Sequence, residues 1–243
     1  MTTNGHVIAD QHSRVMKARK IEALIGGRVD SLDLLDLGAG SGVLSDYFHA
    51  RGAKVIPADR DDGAYRGALA LTLIEGEILP FGDARFDVVI FNHVIEHVGD
   101  IMTQQTILAE IRRILKPKGL LYLAVPNKWA LIEPHFRLPL LGAMPRKLAN
   151  IVVRTTGKGL NYDCYPLSRS TLLTMLRREF PVVNDRSQDA AAWVIEHEMG
   201  GAMRAVLKFV PRVLLNCLRP AYPTLIMLCQ SGGGKGAKYS DDD

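Results

Sequence analysis

The stretch Leu34-Leu35-Asp36-Leu37-Gly38-Ala39-Gly40-Ser41-Gly42 narrows the possible folds more than any other part of the chain. It reads as a short apolar strand running into an acidic, glycine-rich turn, with Val43 to Ala50 able to form a helix behind it. That order makes a nucleotide-binding corner: glycines let the backbone approach a ligand, and the helix start leaves N–H groups free. A pyrophosphate fits poorly. The dinucleotide fingerprint has its third glycine one residue later, where this chain has Val43, and Asp36 would face the phosphates. A carboxylate there suits an ammonium group better. No Gly-Lys-Ser/Thr follows, so a phosphate loop is excluded.

Alternation of strands and helices extends from this corner. Residues 1–12 read as a loose leader, and His12 to Ile25 as an amphipathic helix stopped by Gly26-Gly27. Strands are expected over Leu32–Leu37, Lys54–Ala58, Leu71–Ile74, Phe86–Asn92 and Leu120–Val125. Helices are expected over Val43–Ala50, within Gly63–Ala70, and over Gln104–Leu115. Such alternation implies a parallel sheet covered on both faces. After Pro126 the pattern changes. Residues 127–167 are rich in Pro, Gly and aromatics and too long for an ordinary connection. A helix over Ser168–Phe180, capped by Ser168, a strand over Pro181–Asn184, an apolar basic helix over Ala202–Leu218 broken at Pro211, and a last strand over Thr224–Gln230 complete the pattern. We therefore expect a single domain over 1–230, with a core at 12–126, an insert at 127–167, C-terminal elements at 168–230 and a disordered tail at 231–243.

With 243 residues, 47% hydrophobic and 23% charged, the chain can bury a full core and is not disordered in bulk. Its three cysteines, Cys164, Cys217 and Cys229, are scattered without CxxC spacing. They argue against a disulfide framework or zinc site, so no metal is expected, and for a reducing compartment. The N-terminus lacks an apolar signal core, and no run reaches the roughly 18 apolar residues of a membrane span. A cytoplasmic location follows as the expectation.

Further motifs appear in order. Val55-Ile56-Pro57-Ala58-Asp59 ends a strand on a carboxylate; Ile74-Glu75-Gly76-Glu77-Ile78-Leu79-Pro80-Phe81 follows. Then come Phe86-Asp87-Val88-Val89-Ile90 with Ile95-Glu96-His97-Val98, and Glu110-Ile111-Arg112-Arg113-Ile114-Leu115-Lys116-Pro117-Lys118-Gly119. Together with Leu35–Gly42 this series resembles the class I S-adenosylmethionine-dependent methyltransferases over residues 32–126. The insert starting at Glu133-Pro134-His135 is similar to the type 11 branch that includes ubiquinone-pathway O-methyltransferases. The resemblance implies an α/β, doubly wound, mostly parallel seven-stranded sheet with an antiparallel last strand, Rossmann-like, with helical insertions near the C-terminus. It implies S-adenosylmethionine as cofactor. Two residues depart from the family pattern: Glu75 stands for the usual Asp, and Lys118 for a glycine.

The resemblance also implies roles. Gly38, Ala39, Gly40 and Gly42 would pack on the methionine part of the donor, with Asp36 near its ammonium. Asp59, followed by Arg60, would hold the ribose hydroxyls, and Glu75 and Gly76 the adenine; Asn92 and His93 would face the crevice at the strand ends. Methyl transfer is an in-line displacement on an activated sulfonium, so positioning supplies much of the acceleration. A base is needed only where the acceptor must lose a proton; the candidates are His93, His97, His135 and Glu133.

The acceptor side carries its own signal. From Pro134 to Tyr162 there is no Asp or Glu, but Arg137, Arg146, Lys147, Arg154 and Lys158 lie among apolar residues. The stretch from Met199 to Tyr222 repeats the pattern with Arg204, Lys208, Arg212 and Arg219. Segments 134–162 and 199–222 suit an anionic membrane surface or an amphiphilic acceptor. The resulting expectation is O-methylation of a small-molecule, lipid-linked or glycan hydroxyl at the inner face of a membrane. Nucleic acid is disfavoured: no Asn/Asp-Pro-Pro-Tyr/Phe motif follows the fourth strand, and the basic segments hold few aromatics for base stacking. The rival readings are a donor-binding partner subunit without turnover and an NAD-dependent oxidoreductase. Composition leaves the oligomeric state open.

Overall fold

The computed structural model describes residues 3–201 and 222–232. Its elements are α1 (Thr3–Leu24), β1 (Asp33–Leu37), α2 (Val43–Ala50), β2 (Lys54–Asp59), β3 (Thr72–Leu73) and β4 (Phe86–Asn92), followed by a 3-10 turn at Ile95–His97. Then come α3 (Ile101–Ile114), β5 (Leu115–Pro126), α4 (Arg146–Thr155), α5 (Arg169–Glu179), β6 (Val182–Asp185), α6 (Ser187–His197) and β7 (Thr224–Gln230). The seven strands form one sheet in the order β3-β2-β1-β4-β5-β7-β6. β7 runs antiparallel to β5 and β6; the pairings from β3 through β5 are parallel. The chain winds outward from β1 to β3, then returns to β4 on the other side of β1. At that reversal the carboxyl ends of β1 and β4 open a crevice.

Period-two alternation sorts the strand residues between two cores. Leu35, Val89, Leu121 and Met227 pack with Leu108 and Ile111 of α3 and Leu172 and Leu176 of α5. Their neighbours Leu34, Val88, Tyr122 and Ile226 pack on the opposite face with Ile21 of α1, Phe48 of α2 and Ala190 of α6. A third cluster, Leu138, Leu141, Ala149, Val153, Tyr162 and Cys164, lies within the insert. Helix starts are set locally: Asp100 accepts from the Thr103 N–H at 3.0 Å to cap α3, and Ser168 from the Thr171 N–H at 3.1 Å to cap α5. Such caps contribute about 1 kcal/mol each.

Several expected boundaries move. The leader is helical from Thr3, joining the helix expected over His12–Ile25 into α1. No helix forms over 63–70. There Gly67 packs against Gly42, where an added Cβ would lie 2.7 Å from the Gly67 Cα, so the segment serves as a close-packed loop. β5 begins at Leu115, which pairs with Phe86 across a register shift, and not at Leu120. α4 and α6 appear in segments read as irregular or passed over. The basic helix expected at Ala202–Leu218 lies outside the described residues, as does the tail beyond Gly232. Ser231 is not disordered. It is fully buried, and its N–H donates to the Gly119 carbonyl at 2.9 Å. No described helix is long and apolar enough to cross a membrane.

Candidate active site

The glycine turn after β1 holds three positive φ angles, 81° at Gly38, 53° at Gly40 and 84° at Gly42, which only glycine adopts without strain. The N–H groups of Gly38 and Ala39 donate to the Ala58 carbonyl at 2.7 and 3.1 Å, so β2 anchors the turn. Arg14 of α1 donates to Ser41 Oγ at 2.7 Å from above. The glycines differ in what faces them. A Cβ at Gly40 would meet nothing within 4 Å. A Cβ at Gly38 would lie 2.2 Å from Val94 Cγ2, so Val94 rests on its bare face. Gly42 is committed to packing on Gly67.

Asp59 ends β2 at the crevice. Its Oδ2 accepts from the Gly40 N–H at 2.8 Å and its Oδ1 from the Arg60 N–H at 2.7 Å. Arg60 in turn donates to the Gly76 carbonyl at 2.9 Å. Gly38, Asp59, Arg60, Gly76, Val94 and His97 line a cavity of about 80 Å³ here. The donor set suits the expected ligand. Asp59 Oδ2 keeps a lone pair for a ribose hydroxyl, whereas Oδ1 also accepts a longer bond from the Asp61 N–H at 3.4 Å, and Gly40 and Gly76 leave open the space that a Cβ would fill.

Asp36 lies behind the turn, near enough to Asp59 for the two carboxylates to repel. It is 1% exposed and accepts from Ser45 Oγ at 2.6 Å, and it does not line the crevice. Burial raises its carboxyl to about 6, opposed by the Ser45 hydrogen bond. The sequence expects this carboxylate near the donor's ammonium; in the structure its hydrogen bond from Ser45 ties β1 to α2. Glu75 is exposed and also absent from the lining, whereas its neighbours Ile74 and Gly76 belong to it. Asn92 is half-buried at the end of β4, paired with Ala124.

Beside the crevice lies a polar cluster that the sequence presents only as separate candidates. His93 has φ 58° at the end of β4, and the 3-10 turn places Glu96 beneath it, fully buried. Glu96 Oε1 lies 3.1 Å from His135 Nε2 and 3.5 Å from His93 Nδ1; Oε2 has no partner. Burial pushes the Glu96 carboxyl up, but the hydrogen bonds from His135 and His93 outweigh it and hold the group at about 2. His135 is raised by its bond to Glu96, whereas burial lowers His93. His97 faces Cys164, with Nδ1 to Sγ at 4.0 Å. Burial, then the carboxylates of Asp163, Glu133 and Glu96, push that thiol up. Glu133 is buried and accepts from the Phe136 N–H at 2.7 Å through Oε2, which makes it a brace of the insert rather than a base facing the crevice. Three of the proposed bases therefore converge and the fourth does not. Glu96 and Cys164 were missed as site residues. The His-x-x-Glu-His spacing at 93–97 is the signal that could have placed Glu96; Cys164 arrives by tertiary folding alone.

A second cavity of about 500 Å³ adjoins the cluster through Cys164 and opens between the insert and the α3 and α5 starts. Trp129, Met144, Tyr165 and Leu167 give it apolar walls, and Lys128 and Arg146 give it positive charge. The Arg146 guanidinium stacks 3.8 Å above the Tyr165 ring.

Residues 35–123 match the family described as "Methyltransferase domain". A ubiquinone biosynthesis O-methyltransferase of Leptothrix cholodnii is 26% identical over 175 residues, 59% of this chain and 72% of that protein. One from Cereibacter sphaeroides is 35% identical over 109 residues, 41% of this chain and 43% of that protein, so the chain spans less than half of this relative's length. A SAM-dependent methyltransferase from Archaeoglobus fulgidus has a similar structure, with TM-score 0.57 and 13% identity over 89% of this chain and 94% of that one. Another, from Methanosarcina mazei, gives TM-score 0.54 and 16% identity over 87% and 98%. At such identities the structural likeness speaks for the fold.

Proposed function

Because the chain belongs to the class I S-adenosylmethionine-dependent methyltransferases and S-adenosylmethionine is its methyl donor, we propose that it methylates a hydroxyl on an apolar or lipid-linked acceptor drawn from an anionic membrane surface. The observation that carries this reading is the acid-free segment 134–162 of the insert. Its apolar side chains Leu140, Leu148 and Ile151, with Leu131 and Ile132 just before it, are all at least 47% exposed, beside the cavity walled by Trp129 and Tyr165. Exposed apolar groups ringed only by cations fit an interface where acyl chains meet anionic headgroups. The ubiquinone-pathway relatives support a hydroxyl as the accepting group.

The bound donor supplies an activated methyl group. Asp59, with Gly40 and Gly76, fixes its nucleoside end, so that the reacting carbon is held in one place. The 500 Å³ cavity receives the acceptor, its ring or chain against Trp129 and Tyr165 and any acidic group toward Lys128 and Arg146. The His93–Glu96–His135 cluster lines neither cavity but packs on His97, which lines the first and faces Cys164 of the second, and we assign to this group of histidines the proton that the acceptor hydroxyl sheds. The experiment is incubation of the protein with isotopically labelled donor and a membrane lipid extract, followed by mass spectrometry. Label in an alkali-stable ether of the lipid fraction is the expected result. Label confined to aqueous solutes, or to nitrogen, would reject the proposed acceptor.

A further inference from the structure

The larger cavity has a polar side. No Asp or Glu lines it, while Lys128 and Arg146 bring two positive charges. The start of α5 borders the same space through Ser168, Ser170 and Thr171. A helix start presents N–H groups without intrahelical partners and the positive end of the helix dipole. Here Ser168 Oγ takes the Thr171 N–H at 3.1 Å, and the Ser168 carbonyl takes that of Leu172 at 2.9 Å. The N–H groups of Arg169 and Ser170 are left for a ligand. Backbone donors beside two cations suit the oxygens of a phosphate group.

Two buried side chains of the same lining end in polar atoms that the fold does not satisfy. Gln104 of α3 is fully buried. Its Nε2 donates to the Gly99 and Tyr165 carbonyls, both at 3.2 Å, which fixes the amide and leaves Oε1 without a donor. Tyr162 is 3% exposed, and its hydroxyl has no partner. Native folds rarely leave such atoms unpaired. Oε1 only accepts, so it calls for a hydroxyl of the ligand; the Tyr162 hydroxyl donates or accepts. These groups belong to α3 and the insert, so they speak for a ligand independently of the α5 start. α3 also joins the two cavities, with Ile107 lining the donor crevice and Gln104, one turn earlier, lining the larger cavity.

We propose that the larger cavity recognises a phosphate ester of a polyol. The phosphate lies among Lys128, Arg146 and the start of α5, and one hydroxyl of the polyol donates to Gln104 Oε1. A polyol has further hydroxyls, so one stays on Gln104 while another accepts the methyl group. The ester is either a lipid headgroup or a soluble molecule; the recognised chemistry is the same. This names the acceptor class and rests on the methyltransferase reading for its role, whereas the binding site does not.

Calorimetry is run with inorganic phosphate, glycerol and glycerol 3-phosphate as soluble probes, and with dihexanoyl-phosphatidylglycerol below its micelle concentration as the lipid probe. S-adenosylhomocysteine binding is measured in parallel. At least one ester should bind saturably, one per chain, and tighter than inorganic phosphate by about fivefold or more, with glycerol alone silent. Binding of the lipid ester alone identifies a headgroup as the source; binding of glycerol 3-phosphate at least as tightly identifies a soluble ester. Arg146 is exposed, so Arg146→Gln should keep the fold and weaken the ester by at least about tenfold. Tyr162→Phe removes only the unpartnered hydroxyl. It should hold or raise the thermal midpoint of the free protein and still weaken the ester, which a purely structural hydroxyl would not do. Gln104→Leu should reduce the ester to the affinity of inorganic phosphate. Esters that bind no better than inorganic phosphate, or unchanged in Arg146→Gln and Tyr162→Phe, would overturn the site. S-adenosylhomocysteine binding without ester binding rejects this site alone; ester binding without S-adenosylhomocysteine binding rejects the methyltransferase role and leaves the site standing.

Discussion

Asp36 accepts a hydrogen bond from Ser45 Oγ and lies 1% exposed between β1 and α2. Its folded carboxyl, at about 6, sits above the ordinary value of 3.8. The folded chain therefore holds this proton more tightly than the unfolded chain. Stability falls as pH rises from about 4 to about 6, and above that window a cost of about 3 kcal/mol persists. Asp36→Asn keeps an acceptor for Ser45 without the charge. It should be more stable than the parent by about 1–3 kcal/mol at pH 8, with the gain gone near pH 4. Urea denaturation at both pH values checks this; an equal difference at both would show that the carboxylate carries no ionisation penalty. Lys118 makes a second point at this scale. It occupies φ 67° near the start of β5, a conformation that glycine adopts more readily. A non-glycine residue there costs about 1 kcal/mol, so Lys118→Gly should raise the denaturation midpoint slightly, and a loss would mean that the Lys118 side chain has a role of its own. The glycine motif was legible as a ligand corner. Which of its residues touch the ligand was not, because Asp36 and Gly42 spend their polarity and small size on packing, and sequence spacing cannot separate those uses.

Among the elements, strong apolar periodicity marked what the sequence could show. β1, α2, β2, β4, α3, α5 and β7 lie within about three residues of expectation, since each buries a continuous face. α6 was invisible: its buried residues are only Ser187 and Ala190, too few to print a period. The loop at 63–70 looked helical but is held by Tyr65 and Asp46, with the Tyr65 hydroxyl donating to the Leu69 carbonyl at 2.8 Å and Asp46 Oδ1 accepting from the Ala68 N–H at 2.9 Å. Such tertiary bonds override local propensity. α4 was hidden in the insert yet is the element with the clearest external face. Ala149 and Val153 are fully buried, while Leu148 and Ile151 stand 48% and 55% exposed beside Lys147 and Arg154. If this face enters an anionic bilayer, replacing both apolar side chains by Asp should weaken binding by tenfold or more, as burial of each contributes about 1.5–3 kcal/mol. Flotation with anionic vesicles measures it, with donor affinity as the control for folding; equal flotation of parent and variant would remove α4 from the interface.

At the scale of the molecule, charge and packing divide along the same line. The five basic side chains of segment 134–162 exceed the formal net charge of +4, so the rest of the chain is net acidic. A negatively charged surface would thus orient the protein with the insert toward it. The insert also has a core of its own, the small cluster around Leu141, Val153 and Tyr162, separate from the two cores that share the sheet. It is joined to the rest of the fold by the Asn127 N–H on the Pro223 carbonyl at 2.9 Å, the Tyr165 N–H on the Glu96 carbonyl at 2.7 Å and the His135–Glu96 contact at 3.1 Å. Elements with few buried contacts open locally without global unfolding. Amides of α4 and its flanking loops should therefore exchange with deuterium orders of magnitude faster than those of β1, β4 and β5. Anionic vesicles should slow exchange in the insert alone, because docking there adds no contact to the sheet. Protection spread evenly over the chain would indicate a single cooperative unit, and the insert could not then admit an acceptor by opening separately. Protection of the insert with an unchanged sheet would place acceptor capture and donor binding on parts of the fold that move independently, joined at the Glu96 turn.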